Sequence, residues 1–446
     1  MSRGRGEGRG HRSGASPVKP RAICLLFAVS AFASGQSAKV DDTLSARARS
    51  ERLAHAPTDD RIRAAEHTLA SAPGNMAVEI DLVAAYLQKV RESGDFSYLD
   101  RASKIVDKIL EQDSSSPAAA HFQNEMDMQR HKFAAVAERA RSMTKYDVSD
   151  AAAWANLGDA SMELGQYPQA GDAYVRMFAL QPDLASYNRV AYFRFVSGDA
   201  AGAIALMQTA IQAGSPMVEN TAWCWAELGD MYFKTGRVAD ADAAYHSALR
   251  IFSRLHRAIA GLGRVQAAQG HPAEAIKSYQ RAQSIVPLVD YAGALEDLYR
   301  QTGRPGKAAE QRGLLDAIDT LARTNKEMTN RNLALIFADH DRNLPRALEM
   351  IQAELPGRGD VYTWDAAAWI YLKSGRLAEA RAASAKALKL NTPEPLFYYH
   401  ASQIARAAGD PAAATTYADR CMALNPHFDT RDFHQTDAVT LTVIKQ

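Results

Sequence analysis

The twelve histidines are spread along 446 residues, and no two lie three or four apart, so no helix can present the paired imidazoles of a helix-borne zinc site. The nearest pair, His427 and His434, is seven apart. Asp339, Asp341 and Asn343 alternate like the opening of a calcium loop, but Leu344 stands where that loop needs glycine and Met350 where it needs a bidentate acid. Gly261 and Gly263 imitate a dinucleotide fingerprint, yet the third glycine is replaced by Gln266 and no strand precedes them. Neither a G-x-S-x-G nucleophile turn nor a phosphate-binding loop is present. The expectation is a protein that is not an enzyme, with no catalytic residue, no metal and no cofactor.

What remains is periodicity. In residues 151–184, Trp154, Leu157, Gly158, Gly165, Ala170, Tyr174 and Pro182 fall at helical offsets, interrupted at Gly165, where a left-handed residue can end one helix before a second begins. Trp225, Leu228, Gly229, Tyr232, Gly236, Ala241, Tyr245 and Ala248 repeat those offsets in residues 222–255. Ile259, Leu262, Gly263, Gly270, Ala275, Tyr279, Ala282 and Pro287 do so again. The pattern recurs in units beginning near residues 76, 117, 151, 184, 222, 256, 289, 328, 361 and 395. No single hairpin can bury both its apolar faces, so neighbours must stack.

This spacing, a period of about 34 residues carrying Trp, Leu-Gly, Tyr, Ala, Tyr or Phe, Ala and Pro, resembles the tetratricopeptide repeat. The resemblance covers most of residues 76–428 and implies an all-α fold, a right-handed superhelical solenoid of about ten helical hairpins. Gly158, Ala191, Gly229, Gly263, Ala368 and Ser402 take the eighth position of their units, where a small side chain allows close helix packing. Ala170, Ala203, Ala241, Ala275, Ala308, Ala347, Ala380 and Ala414 do the same in the second helices. Glu296 and Leu335 break the eighth-position rule, so their units are expected to pack more loosely. The extra residues ESGDFSYL predict a longer loop in the first unit, and the polar stretch 314–330 a bend or division. Asp60 to Ala70 reads as a capping helix within a polar leader, 34–75, and residues 429–446 as a tail.

Residues 1–21 hold five Arg, one Lys and one Glu, and the rest of the chain has 46 basic against 50 acidic residues. No basic block remains to grip phosphates, so nucleic acid is not an expected partner. After Arg21 comes an uncharged run, Ile23 to Ala33, shorter than the ~20 residues of a membrane span, and Ala31 and Ala33 fit a cleavage site. Residues 1–33 therefore read as a signal peptide, with a mature start near Ser34, periplasmic or secreted localisation, and no integral membrane insertion after its removal. Cys24 opens the apolar run instead of following it, which disfavours a lipid anchor. Cys224 and Cys421 lie five units apart, and layers ~8–10 Å thick would put them beyond the ~7 Å reach of a disulfide.

The resemblance also places the first helices on the concave face, with particular positions pointing into a groove. In the central units these are Tyr192, Phe195, Trp223, Asp230, Phe233 and Lys234, followed by Arg257 and Arg264. The carboxyl units add Tyr362, Asp365, Trp369, Lys373, Tyr399 and Arg406. Exposed aromatics flanked by charge would form a partner-binding surface; the same rings packed against the following helix would be core. Family members that clamp a terminal carboxylate use Lys and Asn at matched positions, where this chain has Asp159, Tyr192 and Asp230. Two functions are consistent with the groove: an exported adaptor binding a protein or peptide segment, or a carbohydrate-binding or enzyme-accessory protein of the cell envelope stacking sugars on the aromatic rings.

Overall fold

The computed structural model describes residues 57–215, 219–324 and 330–428, which contain 21 α-helices and no strand. The expected signal peptide, most of the leader and the tail lie outside them. Helix α1 (Thr58–Ser71) precedes ten hairpins. The first five are α2/α3 (Met76–Ser93, Ser97–Gln112), α4/α5 (Pro117–Gln129, Phe133–Tyr146), α6/α7 (Ala151–Glu163, Tyr167–Leu180), α8/α9 (Leu184–Val196, Ala200–Ala213) and α10/α11 (Glu219–Lys234, Val238–Ile251). Then come α12/α13 (His256–Ala268, Pro272–Ile285), α14/α15 (Val289–Gln301, Pro305–Thr324), α16/α17 (Arg331–Asp339, Leu344–Glu354), α18/α19 (Val361–Lys373, Leu377–Ala387) and α20/α21 (Pro395–Ala407, Pro411–Leu424). None of these helices is long and apolar enough to cross a membrane.

The turn within each hairpin is closed by the chain itself. At α6 the Gly165 N–H bonds the Met162 carbonyl and the Gln166 N–H bonds the Ser161 carbonyl, a glycine-centred cap that satisfies carbonyls the helix leaves unpaired. In the units with glycine there the eighth-position rule has a direct steric cause, because a tyrosine of the second helix lies across it. A Cβ at Gly158 would come 2.4 Å from the Tyr174 ring, and one at Gly229 would come 2.6 Å from Tyr245. Tyr245 is pressed from the other side by Gly261, whose Cβ would lie 2.4 Å away. Of the dinucleotide-like glycines, Gly261 therefore completes a slot for this ring and Gly263 faces the ring of Tyr279.

Four structural expectations need correction. Glu296 is no mark of loose packing: it is buried, 3.5 Å from His340 Nδ1 and 3.9 Å from Arg342 Nη2, so a charged cluster replaces the close approach. Leu335 is not the eighth residue; the turn after α16 holds two left-handed residues, Asp341 and Asn343, and fully buried Ala334 takes the small position one residue earlier. The first hairpin has no long loop, since α2 and α3 extend to 18 and 16 residues and leave only residues 94–96 between them. No division occurs near 314–330, because α15 continues to Thr324 and its Leu315 joins a core cluster with Ala292, Leu333 and Phe337. Cys224 and Cys421 are both free and buried, and burial pushes each thiol up to about 12.

The solenoid winds tightly enough for one superhelical turn to rest on the next. Three consecutive first helices, α6, α8 and α10, end in carbonyls that receive hydrogen bonds from much later in the chain. Glu163 O accepts from Gly359 N–H at 2.9 Å, Val196 O from the Thr392 hydroxyl at 2.5 Å, and Phe233 O from the Asn425 amide at 2.7 Å. The last two links span 196 and 192 residues. Apolar packing follows the same path, for Val361 and Phe397 share a core cluster with Tyr167, Tyr174 and Val196. Tyr167 clasps from the side as its hydroxyl oxygen accepts from Val361 N–H at 2.8 Å.

Candidate functional site

Closing one turn onto the next leaves a lumen walled mainly by first helices, with two chambers of about 410 and 430 Å³ that are partly open to solvent. Lys234, Arg331 and Tyr362 border both. Lys234, at the end of α10, reaches across the lumen to donate to Tyr362 Oη at 3.3 Å and to pair with Glu394 at 2.9 Å. Burial works against its charge, yet Glu394 and Asp230 hold its pKa above the usual lysine value. The first chamber from the amino-terminal side is lined by Asp159, Arg189, Tyr192, Glu227 and Arg257 besides the shared residues. The second includes Arg264, Tyr279, Asp290, Asp297, Asp365 and Glu394, with Leu335, Ile336, Phe397 and Phe428.

The charges on these walls form a ladder from repeat to repeat. Asp159 accepts from the Tyr174 hydroxyl at 2.9 Å and from Arg189 Nε of the next hairpin. Asp230 repeats the arrangement with Tyr245 at 2.6 Å, Arg257 at 2.5 Å, and Arg264 as a further close partner. Burial alone would raise the Asp230 carboxyl, but Arg257, Arg264 and Lys234 outweigh it and hold the group well below the usual carboxylate range. Glu227 shifts the other way: burial raises it and the Arg257 contact at 2.5 Å offsets only part. Asp290 is exposed along the second chamber, and there desolvation raises it.

The family model described as tetratricopeptide repeat matches residues 226–290 and 366–426. Those segments are tetratricopeptide repeats. Comparison with curated proteins finds no match. Among solved structures, the Cut9–Hcn1 assembly of APC/C is similar, with a TM-score of 0.46 and 16% identity over 78% of this chain; the chain spans 60% of that one's length. Human IFIT1 with PPP-AAAA aligns at 0.46 and 12% identity over 81% of this chain and 87% of its own. PilW, a type IV pilus biogenesis factor, aligns at 0.39 and 17% identity over 44% and 91%. Tetratricopeptide arrays are protein-interaction scaffolds.

Within this array the expected groove residues separate into two groups. Tyr192, Lys234, Arg264 and Tyr362 line the chambers, with Asp230 clasped behind them. Phe195, Phe233, Trp369 and Tyr399 are buried, although Phe233 also borders the second chamber, so the expectation that they stand exposed in the free protein is not met. The reason is the winding: the groove is narrow, and cations already cover the ring faces. Arg257 sits 4.6 Å from the Trp223 ring, Arg264 4.7 Å from Phe233, and Lys373 5.3 Å from Trp369, which also stacks on His400 at 4.4 Å. Sequence reasoning missed Asp290, Arg331 and Glu394, whose roles depend on which elements the superhelix brings face to face. Asp339 and Asp341 of the calcium-like stretch are engaged by Trp369 Nε1 at 2.9 Å and Lys373 at 2.7 Å. Among the described residues no group of three or more His, Cys, Asp or Glu could hold a metal.

Proposed function

We propose that the chain is an exported scaffold that takes a short extended segment of a partner protein into its lumen. The observation that carries this is the pair of chambers, each within the ~300–1,000 Å³ of ligand pockets and divided by the Lys234–Tyr362–Glu394 bridge. Their division leaves no course for an α-helix ~10–12 Å across. An extended backbone fits better, since it brings donors and acceptors to walls rich in both. Sugar stacking is less favoured because cations lie over the Trp223, Phe233 and Trp369 rings, and at Trp369 an imidazole as well.

Selection of a random heptapeptide display library on the whole protein should give reproducible enrichment. Filling the chambers at their walls, with Asn188→Trp in one and Ala294→Trp in the other, should abolish capture while the melting temperature stays nearly unchanged. Capture that survives both changes would move binding to the outer surface and overturn the reading. Export rests on the basic stretch and apolar run of residues 1–33. Protein recovered from its native host should begin within a few residues of Ser34, and an intact Met1 on a cytoplasmic product would refute export.

A further inference from the structure

The second chamber holds more carboxyl groups than its own permanent cations pair with. Three such cations line it, and each is committed: Lys234 to Glu394 at 2.9 Å, Arg264 to Asp230, and Arg331 to Asp360 at 3.3 Å. Asp230 and Asp360 stand outside the chamber lining, so two of the three cations are held by carboxylates behind the wall. Asp290, Asp297 and Asp365 face the same space. Their partners are the Asn332 amide at 3.0 Å, the His340 ring at 2.8 Å and the His400 ring at 2.9 Å. Among the described residues no lysine or arginine forms an ion pair with any of these three.

The remaining walls are apolar, supplied by Leu335, Ile336, Leu396, Phe397 and Phe428. Such surroundings strengthen attraction to a cation and suit the methylene stem that carries one. The geometry points to this chamber as the receptor for one lysine or arginine side chain of the partner segment, its head among Asp290, Asp297 and Asp365 and its stem on the apolar wall. The first chamber lacks such carboxylates: its Asp159 pairs with Arg189 and its Glu227 with Arg257. A cation is thus selected for the second chamber and not for the first, which also gives the bound segment a direction.

This inference rests on the lumen being the partner site, and the same library separates the two claims. Enriched heptapeptides should share a lysine or arginine at one position. A synthetic copy with norleucine in its place should bind at least tenfold more weakly, and Asp290→Asn and Asp365→Asn should each erase most of that preference. Enrichment without a basic position, or equal binding of the lysine and norleucine peptides, would overturn the charge assignment and leave the lumen reading standing. No enrichment at all would overturn both. The norleucine comparison uses the unaltered protein, so the result stands even if an Asp variant fails to fold.

Discussion

Gly165→Ala is expected to destabilise the protein by about 3 kcal/mol or more, and Gly375→Ala by only about 1 kcal/mol. The two glycines end equivalent helices with nearly the same backbone, φ of 70° and 72°, so the left-handed penalty for a side chain is common to both. Their surroundings differ. A Cβ at Gly165 would lie 2.2 Å from the Gly359 carbonyl oxygen, which belongs to the next superhelical turn, whereas nothing lies within 4 Å of one at Gly375. Backbone on backbone cannot yield by rotating a side chain, so the two turns must separate locally and weaken the bond from Gly359 N–H to Glu163 O. Urea melts of the two variants beside the parent decide the matter. Equal losses would mean the turns do not touch at Gly165.

Gly229→Leu should cost about 3 kcal/mol or more for a different reason. Leucine gains roughly 1 kcal/mol over glycine in intrinsic helix propensity, so any net loss must come from packing. Tyr245 supplies it: fully buried, wedged between Gly229 and Gly261, and tied through its hydroxyl to Asp230, it cannot swing aside without breaking the charge ladder. Thermal melting with far-ultraviolet circular dichroism is sufficient, and an unchanged midpoint would show that the tyrosine slot is not as described. Glu296 offers no tolerant counterpart at the same repeat position, since leucine there would strip His340 and Arg342 of a buried carboxylate neighbour.

The hairpins were legible because everything that specifies them is local: a glycine that ends a helix, a tyrosine about sixteen residues after the small residue it covers, an alanine where two helices meet. The one-residue error at Leu335 arose where that local grammar changes, with Asp341 and Asn343 both left-handed in a turn that has no glycine. The lumen was only half legible. Tyr192, Lys234, Arg264 and Tyr362, which spacing placed in the groove, line the chambers, but whether a ring there is open or covered depends on curvature. Small rotations between neighbours accumulate over many repeats before α10 meets the loop ahead of α20. Nothing in the residues around Lys234 announces Glu394, and nothing around Asp290 announces Asn332, 42 positions away.

The link between superhelical turns alters how such a chain acquires its structure. An open array has contacts only between adjacent units, so it can nucleate anywhere and lose stability piecemeal from its ends. Here the carbonyls of Glu163, Val196 and Phe233 wait for groups that are synthesised almost two hundred residues later. Those links close large loops, which slows folding but binds distant repeats into one cooperative transition. The middle hairpins reach full stability only once the last ones have docked, so the protein behaves less like a string of independent modules and more like a globular domain built from repeating parts.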